Sequence, residues 1–254
     1  MTPDVVVDIG NTRMKWGVCE GNRVTEVRRL SLDEPAIWEA ELATLPPRTS
    51  VRRWALASVN PPALARFRDW LHPHGRIAVF ENATELPIRV HVDEPAKVGI
   101  DRLFGAIAAK SVVPEGTPAI TADVGTAVTV NFIDAEGVFQ GGVIFPGPRL
   151  MGRALHEHTA KLPLIDLTEY STDNRPGKNT TDAIRRGIEG ALVGGVLHYV
   201  RLWANDCPTQ PWLIVTGGGG HLLMAATSAF NLPIVQFAPT LTLEGIRMAA
   251  ETLP

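Results

Sequence analysis

Two short stretches of this chain set a carboxylate, a glycine and small polar side chains in immediate succession. Asp8-Ile9-Gly10-Asn11-Thr12 closes an apolar run that begins at Val5, and Asp123-Val124-Gly125-Thr126-Ala127 closes one that begins at Ala119. In each, the carboxylate stands at the C-terminal end of a predicted strand. The glycine lets the backbone turn sharply and lets a ligand approach closely. Asn11, Thr12 and Thr126 then offer backbone N–H groups and hydroxyls to phosphate oxygens, and Lys15 adds a point charge. One such stretch by itself reads better as an ordinary hairpin turn. Two at matching positions, 115 residues apart from Asp8 to Asp123, point to paired acidic turns that hold a cation-neutralised nucleotide.

Three further segments carry candidate chemistry. Gly99-Ile100-Asp101-Arg102 precedes the apolar helical run Leu103 to Ala109. Asp101 is there either a helix N-cap or a general base held at the helix start, with Arg102 beside it to grip an anion. Thr180 and Thr181 pose the same choice, cap or substrate ligand, before a long helix; spacing alone favours the cap. The run Thr216 to Gly220 joins a predicted strand to a predicted helix, so it is either a loose linker or a surface against which a ring or sugar lies. No GxxxxGK[ST] is present and no GxGxxG follows a strand, which excludes the P-loop and the dinucleotide fingerprint. His156 and His158 diverge by ~200° on a helix and cannot share one metal ion. The six tryptophans are scattered without basic interleaving and read mostly as core.

The elements that must position these residues follow a repeated order. Val5–Ile9, Met14–Cys19 and Arg23–Leu30 read as three strands joined by Gly-Asn turns. A helix over Leu32–Leu45 capped by Asp33, a strand Trp54–Val59, a helix Pro61–Leu71, strands near Ile77–Phe80 and Ile88–Val92, and a helix Arg102–Val112 follow. The pattern then restarts with strands Ala119–Val124, Val128–Ile133 and Gly141–Phe145. Helices Arg149–His158 and Thr181–Asn205, a strand Trp212–Val215, a helix His221–Ala229, a strand Ile234–Phe237 and a helix Leu243–Thr252 complete it. The expected architecture is α/β and duplicated: two similar lobes, residues 1–115 and 116–254, with a nucleotide cleft between them. Residues 162–178 form the one long irregular stretch.

Composition narrows the function classes. Over 254 residues, 45% hydrophobic and 20% charged residues fit a globular chain. Lys plus Arg number 24 against 27 Asp plus Glu, a formal charge of −3, so no global basic field exists to hold nucleic acid. Cys19 and Cys207 lack CxxC partners, which excludes a cysteine zinc site and a disulfide framework and fits a reducing compartment. The N-terminus has no basic and long apolar leader pattern, and no run reaches ~18 apolar residues. The expectation is a cytoplasmic protein without membrane or nucleic-acid partners.

Taken together and in order, these motifs resemble the type III pantothenate kinases. The likeness rests on Asp8 to Thr12 with Lys15, Gly99 to Arg102, Asp123 to Ala127 with Thr129, Gly141-Gly142-Val143-Ile144-Phe145-Pro146-Gly147, Gly177 to Ile184 and Thr216-Gly217-Gly218, and it covers nearly the whole chain. It implies the duplicated actin-like, RNase-H-like α/β fold and ATP-dependent phosphorylation of pantothenate, the opening step of coenzyme A biosynthesis. Carried over by position, it makes Asp8, Ile9, Gly10, Asn11, Thr12, Arg13, Met14 and Lys15 the ATP phosphate loop, with Asp8 a candidate ligand through Mg2+. Gly99, Ile100, Asp101 and Arg102 become the pantothenate loop, with Asp101 the proton acceptor. Asp123 becomes the ligand of a monovalent cation, K+ or NH4+, Thr126 an ATP contact and Thr180 a pantothenate contact. One departure stands out: this chain has Val92 ahead of Pro95 where many members carry a tyrosine.

Two other functions share the fold: a kinase for a sugar or another small alcohol, and a non-catalytic nucleotide-binding regulator. Relatives of the family have been named as accessory factors in toxin gene expression. The resemblance also implies a homodimer. The helix after Thr180 carries Gly187, Gly190, Gly194 and Gly195, each costing ~1 kcal/mol against Ala, so a close helix partner is expected there, in the same chain or in a second copy.

Overall fold

The structure is a computed structural model. It describes residues 1–253 apart from 48, 168–170, 172, 174 and 228–234. The chain forms two compact units, one of Met1–Val112 together with the segment from Thr240 onward, the other of Val113–Pro239.

In the first unit, β1 (Val5–Ile9) pairs antiparallel with β2 (Met14–Glu20), which pairs antiparallel with β3 (Arg23–Leu30). On its other side β1 runs parallel to β4 (Arg53–Ser58), and β4 parallel to β5 (Arg76–Phe80), giving the order β3-β2-β1-β4-β5. Central β1 buries Val5, Val6, Val7 and Ile9 completely, so its sequence is apolar except at Asp8. Three helices matter here: α1 (Pro35–Thr44), α2 (Pro61–Leu71) and α3 (Ile100–Val112). α2 starts where Asn60 accepts a hydrogen bond from the Ala63 amide at 3.2 Å and Pro61 presets the first turn. Its Ala63, Leu64, Phe67 and Leu71 recur at helical spacing and are buried. Phe67 joins Trp16, Trp38 and Trp54 in an aromatic core, with Trp16 and Trp54 edge to face at 5.3 Å. Three of the six tryptophans are thus fully buried and the others half-buried.

The second unit repeats this plan. β6 (Ala119–Val124) lies between antiparallel β7 (Ala127–Ile133) and parallel β9 (Trp212–Thr216). β8 (Phe139–Pro146) and β10 (Val235–Phe237) flank them, so the order β8-β7-β6-β9-β10 matches the first sheet strand for strand. α4 (Pro148–Glu157), α5 (Thr180–Asn205) and α6 (Gly220–Thr227) accompany this sheet. α5 packs Ile184, Ile188, Leu192, Val196 and Val200 into the core of the unit.

Four expectations change. Residues 88–92 form no strand; only Val90 makes an isolated bridge, in a segment that leads into Pro95. α1 begins at Pro35 with Glu34 at the cap position and no side-chain capping bond, because Asp33 instead pairs with Arg66. Helix α5 is capped by Asn179, which accepts the Asp182 amide at 2.9 Å, so neither Thr180 nor Thr181 caps it. Finally, the last helix, α7 (Leu241–Glu251), belongs to the first unit and not to a lobe spanning 116–254. Its apolar residues Leu241, Leu243, Ile246, Ala249 and Ala250 are buried, and a Cβ on Gly245 would lie 2.0 Å from the Phe104 carbonyl oxygen. That backbone-to-backbone approach docks α7 on α3. Described residues among 162–178 contain no helix or strand, as expected. The expected end of the α6 helix and start of β10 fall partly at 228–234, outside the described residues.

Candidate functional site

The first unit gathers Asp8, Lys15, Asp101 and Arg102. Antiparallel pairing sets Asp8 directly across from Lys15, and Lys15 Nζ lies 3.5 Å from Asp8 Oδ2. Between them the chain reverses through 10–13, closed by the Gly10 amide donating to the Arg13 carbonyl at 3.1 Å. Asn11, Thr12 and Arg13 are exposed at this turn, whereas Ile9 and Met14 are fully buried. The side chains of Ile9 and Met14 therefore serve the core, and only their backbone is available to a nucleotide.

Asp101 sits in the first turn of α3, not at its cap position. Its Oδ1 accepts the Arg102 amide at 2.9 Å, so it still satisfies one of the free N–H groups at the helix start. The helix end thus orients the Asp101 carboxylate without its being the cap. Burial pushes its carboxyl above the ordinary value; the negative charge of Asp8 adds to this, and the Arg102 amide and guanidinium oppose it. Burial pushes the Arg102 guanidinium down, against the pull of Asp101. A Cβ on Gly99 would stand 2.7 Å from Asp101 Oδ1, so the glycine before this helix leaves space for the carboxylate. A half-buried carboxylate with raised proton affinity beside a guanidinium has the chemistry of a proton acceptor.

The second unit holds Asp123, Thr126, Thr180 and the glycine run. Asp123 is the last polar residue of β6, in register with Thr129 on β7 and Thr216 on β9. Three oxygen-bearing side chains thus occupy one row across three strands. The turn after it is closed by the Gly125 amide donating to the Ala127 carbonyl at 3.0 Å, and the Gly147 amide donates to the Thr126 carbonyl at 2.8 Å. Thr126 is exposed. Carboxylate, hydroxyl and carbonyl oxygens are hard donors and fit an alkali-type cation. Gly217, at φ +88°, lies against the end of β6, and the Gly219 amide donates to the Val124 carbonyl at 2.9 Å. The glycine run is therefore an ordered turn packed on the acidic one, which its composition alone did not reveal. Thr180, freed from capping by Asn179, is exposed on the first turn of α5. It borders an open apolar groove of about 1120 Å³ between α4 and α5, lined by Met151, Leu155, Leu162, Ile184 and Gly187 among others.

His156 Nδ1 lies 2.8 Å from the Leu162 carbonyl oxygen. Among the described residues no group of three or more His, Cys, Asp or Glu side chains could hold a metal ion by itself. Among them, too, no helix is long and apolar enough to cross a membrane.

A family model described as type III pantothenate kinase matches residues 5–202. The chain belongs to the type III pantothenate kinase family. It is 34% identical to the type III pantothenate kinase of Acidiphilium cryptum, over 97% of this chain and 93% of that one. With its counterpart from Gluconobacter oxydans it shares 33% identity over 97% of this chain and 92% of the other. Membership makes the chain a transferase of the pantothenate kinase class, in coenzyme A biosynthesis, with ATP as phosphoryl donor and a small molecule as acceptor. The fold is correspondingly the duplicated actin-like α/β fold. Among solved structures, the activator of 2-hydroxyisocaproyl-CoA dehydratase from Clostridium difficile, with bound ADPNP, superimposes with a TM-score of 0.56 at 13% identity. That likeness spans 97% of this chain and 92% of the other and concerns the fold alone.

Proposed function

We propose that this type III pantothenate kinase uses Asp101 to accept the proton of the pantothenate primary hydroxyl as that oxygen attacks the γ-phosphorus of ATP. The bond from the γ-phosphorus to the bridging oxygen breaks, and ADP leaves with 4′-phosphopantothenate as the other product. Phosphoryl transfer asks mainly for positioning and for charge to offset the phosphates. Lys15 and the amides of the 10–13 turn offer both to the nucleotide, and Thr126 adds a hydroxyl. Gly99, Ile100, Arg102 and Thr180 are the acceptor contacts of this reading, with the Arg102 guanidinium suited to gripping an anion. Mg2+, with Asp8 as its candidate anchor, supplies charge neutralisation of the phosphates when bound. A monovalent cation, K+ or NH4+, fits the oxygen row at Asp123. The observation that carries this reading is the half-buried Asp101 carboxylate, oriented by the Arg102 amide and raised in proton affinity by desolvation and Asp8.

The cation reading draws support from Thr129 and Thr216, which bring neutral oxygens to the row of Asp123. We further propose a homodimer, supported by the open face of α5. Cβ atoms added at Gly187, Gly190 and Gly194 would meet no atom within 4 Å outside their own helix, whereas Gly195 is occupied by the Phe145 ring at 3.1 Å. Glycines at helical spacing with nothing against them suit the close approach of another backbone. Gly190→Leu is expected to weaken the dimer in sedimentation and to raise KM for pantothenate more than for ATP. Cytoplasmic residence agrees with two free cysteines.

A coupled ADP-release assay with pantothenate against a panel of sugars, with and without potassium, tests the whole. Pantothenate-dependent, potassium-stimulated turnover is expected. Turnover of a sugar but not of pantothenate would falsify the acceptor assignment.

A further inference from the structure

The glycine run after β9 has a contact that neither a linker nor a nucleotide-facing loop requires. A Cβ on Gly217 would stand 2.3 Å from Asp123 Oδ1 and 2.6 Å from both the Val124 amide nitrogen and the Val124 carbonyl oxygen. These distances are far inside any real Cβ contact. Gly217 also holds φ +88°, a conformation that side-chain-bearing residues rarely adopt. Gly218 differs on both counts: its φ is not positive, and a Cβ there would meet nothing within 4 Å. Two neighbouring glycines of the same run thus face different surroundings. The turn around them is held to β6 by the Gly219 amide on the Val124 carbonyl and closed by the Gly220 amide on the Gly217 carbonyl at 3.2 Å. Gly217 therefore has no room to yield to a side chain.

We infer that Gly217 is a positioning residue for Asp123: the missing side chain leaves the carboxylate and the adjacent Val124 carbonyl where a monovalent cation can take them as oxygen ligands. The inference rests on the proposal that Asp123 is that cation's ligand, and it adds what sets the ligand's place. A group that orients a metal ligand from behind typically changes affinity by about 10–100-fold when altered. Any residue larger than glycine at 217 must move Oδ1, the end of β6, or itself.

The test compares Gly217→Asn with Gly218→Ala. Asn is chosen because it tolerates positive φ better than other side chains, so it adds the Cβ with the least backbone strain. Two readouts are taken over a potassium titration at constant ionic strength, with tetramethylammonium as the replacing ion. They are the potassium-induced rise in Tm with a non-hydrolysable ATP analogue bound, and the half-saturating potassium concentration for turnover. Gly217→Asn is expected to lose the Tm rise and to shift half-saturation upward by about tenfold or more. Gly218→Ala is expected to keep the wild-type potassium response, whatever it does to turnover. A folded Gly217→Asn protein with a wild-type potassium response overturns the inference, and so does a Gly218→Ala protein that loses the response equally. If instead Asp123→Ala retains the potassium response, the cation reading itself falls. Should Gly217→Asn fail to fold, the double variant with Asp123→Ala decides. Recovery of folding shows that residue 217 acts against the Asp123 side chain, and no recovery assigns the clash to the Val124 backbone at 2.6 Å and overturns the role toward the carboxylate.

Discussion

The two acidic turns occupy equivalent places in equivalent sheets, yet they are furnished differently. Asp8 has Lys15 across from it on β2 and Ala57 beside it on β4; Asp123 has Thr129 on β7 and Thr216 on β9. The first half thus brings its own cation to its carboxylate, and the second brings neutral oxygens. A lysine across the strand suits contact with an anion such as a phosphate, whereas hydroxyls around a carboxylate suit a small cation. The connections that follow diverge as well. β4 leads into α2 through Asn60, which caps the helix, while β9 leads into α6 through a glycine run whose Gly217 lies against Asp123. One duplicated scaffold thus surrounds its two acidic turns with different register partners.

The largest effect expected within this comparison is at the residue that has no equivalent in the second half. Asp101→Asn should cut kcat by about 10²–10⁴-fold, the usual loss of a general base, although Asn keeps the cap-like bond to the helix start. Stability should move the other way. Folding raises the proton affinity of Asp101, so between its unfolded and folded pKa values the native chain binds more protons than the unfolded one. Stability therefore falls as pH rises through that window, and the ionised carboxylate costs stability at neutral pH. Asp101→Asn should remove this loss, giving a Tm at pH 7 equal to or above wild type. The acid limb of the wild-type kcat profile should lie above the ordinary carboxylate range and vanish in the variant. A variant with near-wild-type kcat would return Asp101 to a purely structural role.

Exchanging the register partners sharpens the contrast further. Lys15→Thr, which gives the first half the row of the second, should raise KM for ATP by about 10–100-fold, since a charged contact contributes about 1.5–3 kcal/mol. Thr129→Lys, the reverse exchange, places an ammonium group across from Asp123 and should abolish the response of turnover to potassium. If Thr129→Lys responds to potassium as wild type does, the difference between the two rows has no functional meaning.

The smallest effect concerns the caps. Asn60→Ala and Asn179→Ala each remove a side-chain cap, at α2 and α5 respectively. Each should lower stability by about 1 kcal/mol in denaturant unfolding. Asn179→Ala alone should also raise KM for pantothenate, because it loosens the turn that presents Thr180. Equal kinetic effects from both variants would argue against Thr180 as an acceptor contact.

Much of this could be read before any coordinates. The duplicated order of strands showed because Asp-x-Gly recurs after two apolar runs, and central strands buried on both faces leave mainly apolar stretches, interrupted by Asp8 in β1 and by Thr121 and Asp123 in β6. Helix α2 was legible to the residue, since Pro61 marks its first turn. Segment 88–92 was not, because its apolar content is also what a chain uses to cover a core without pairing.

What the residues alone determined are properties carried by local pattern: which segments bury, where the chain turns tightly, and which polar side chains stand at the ends of buried strands. What only tertiary structure decided are properties carried by neighbours distant in sequence. Helix α7 joins the first unit because its apolar face and Gly245 match α3, more than a hundred residues earlier. Asp101 differs from an ordinary cap because burial and Asp8 act on its charge, and no spacing rule measures burial. Gly217 and Gly218 are identical letters side by side; only the packing of the β9–α6 turn on β6 sets one against the Asp123 carboxylate and leaves the other facing open space.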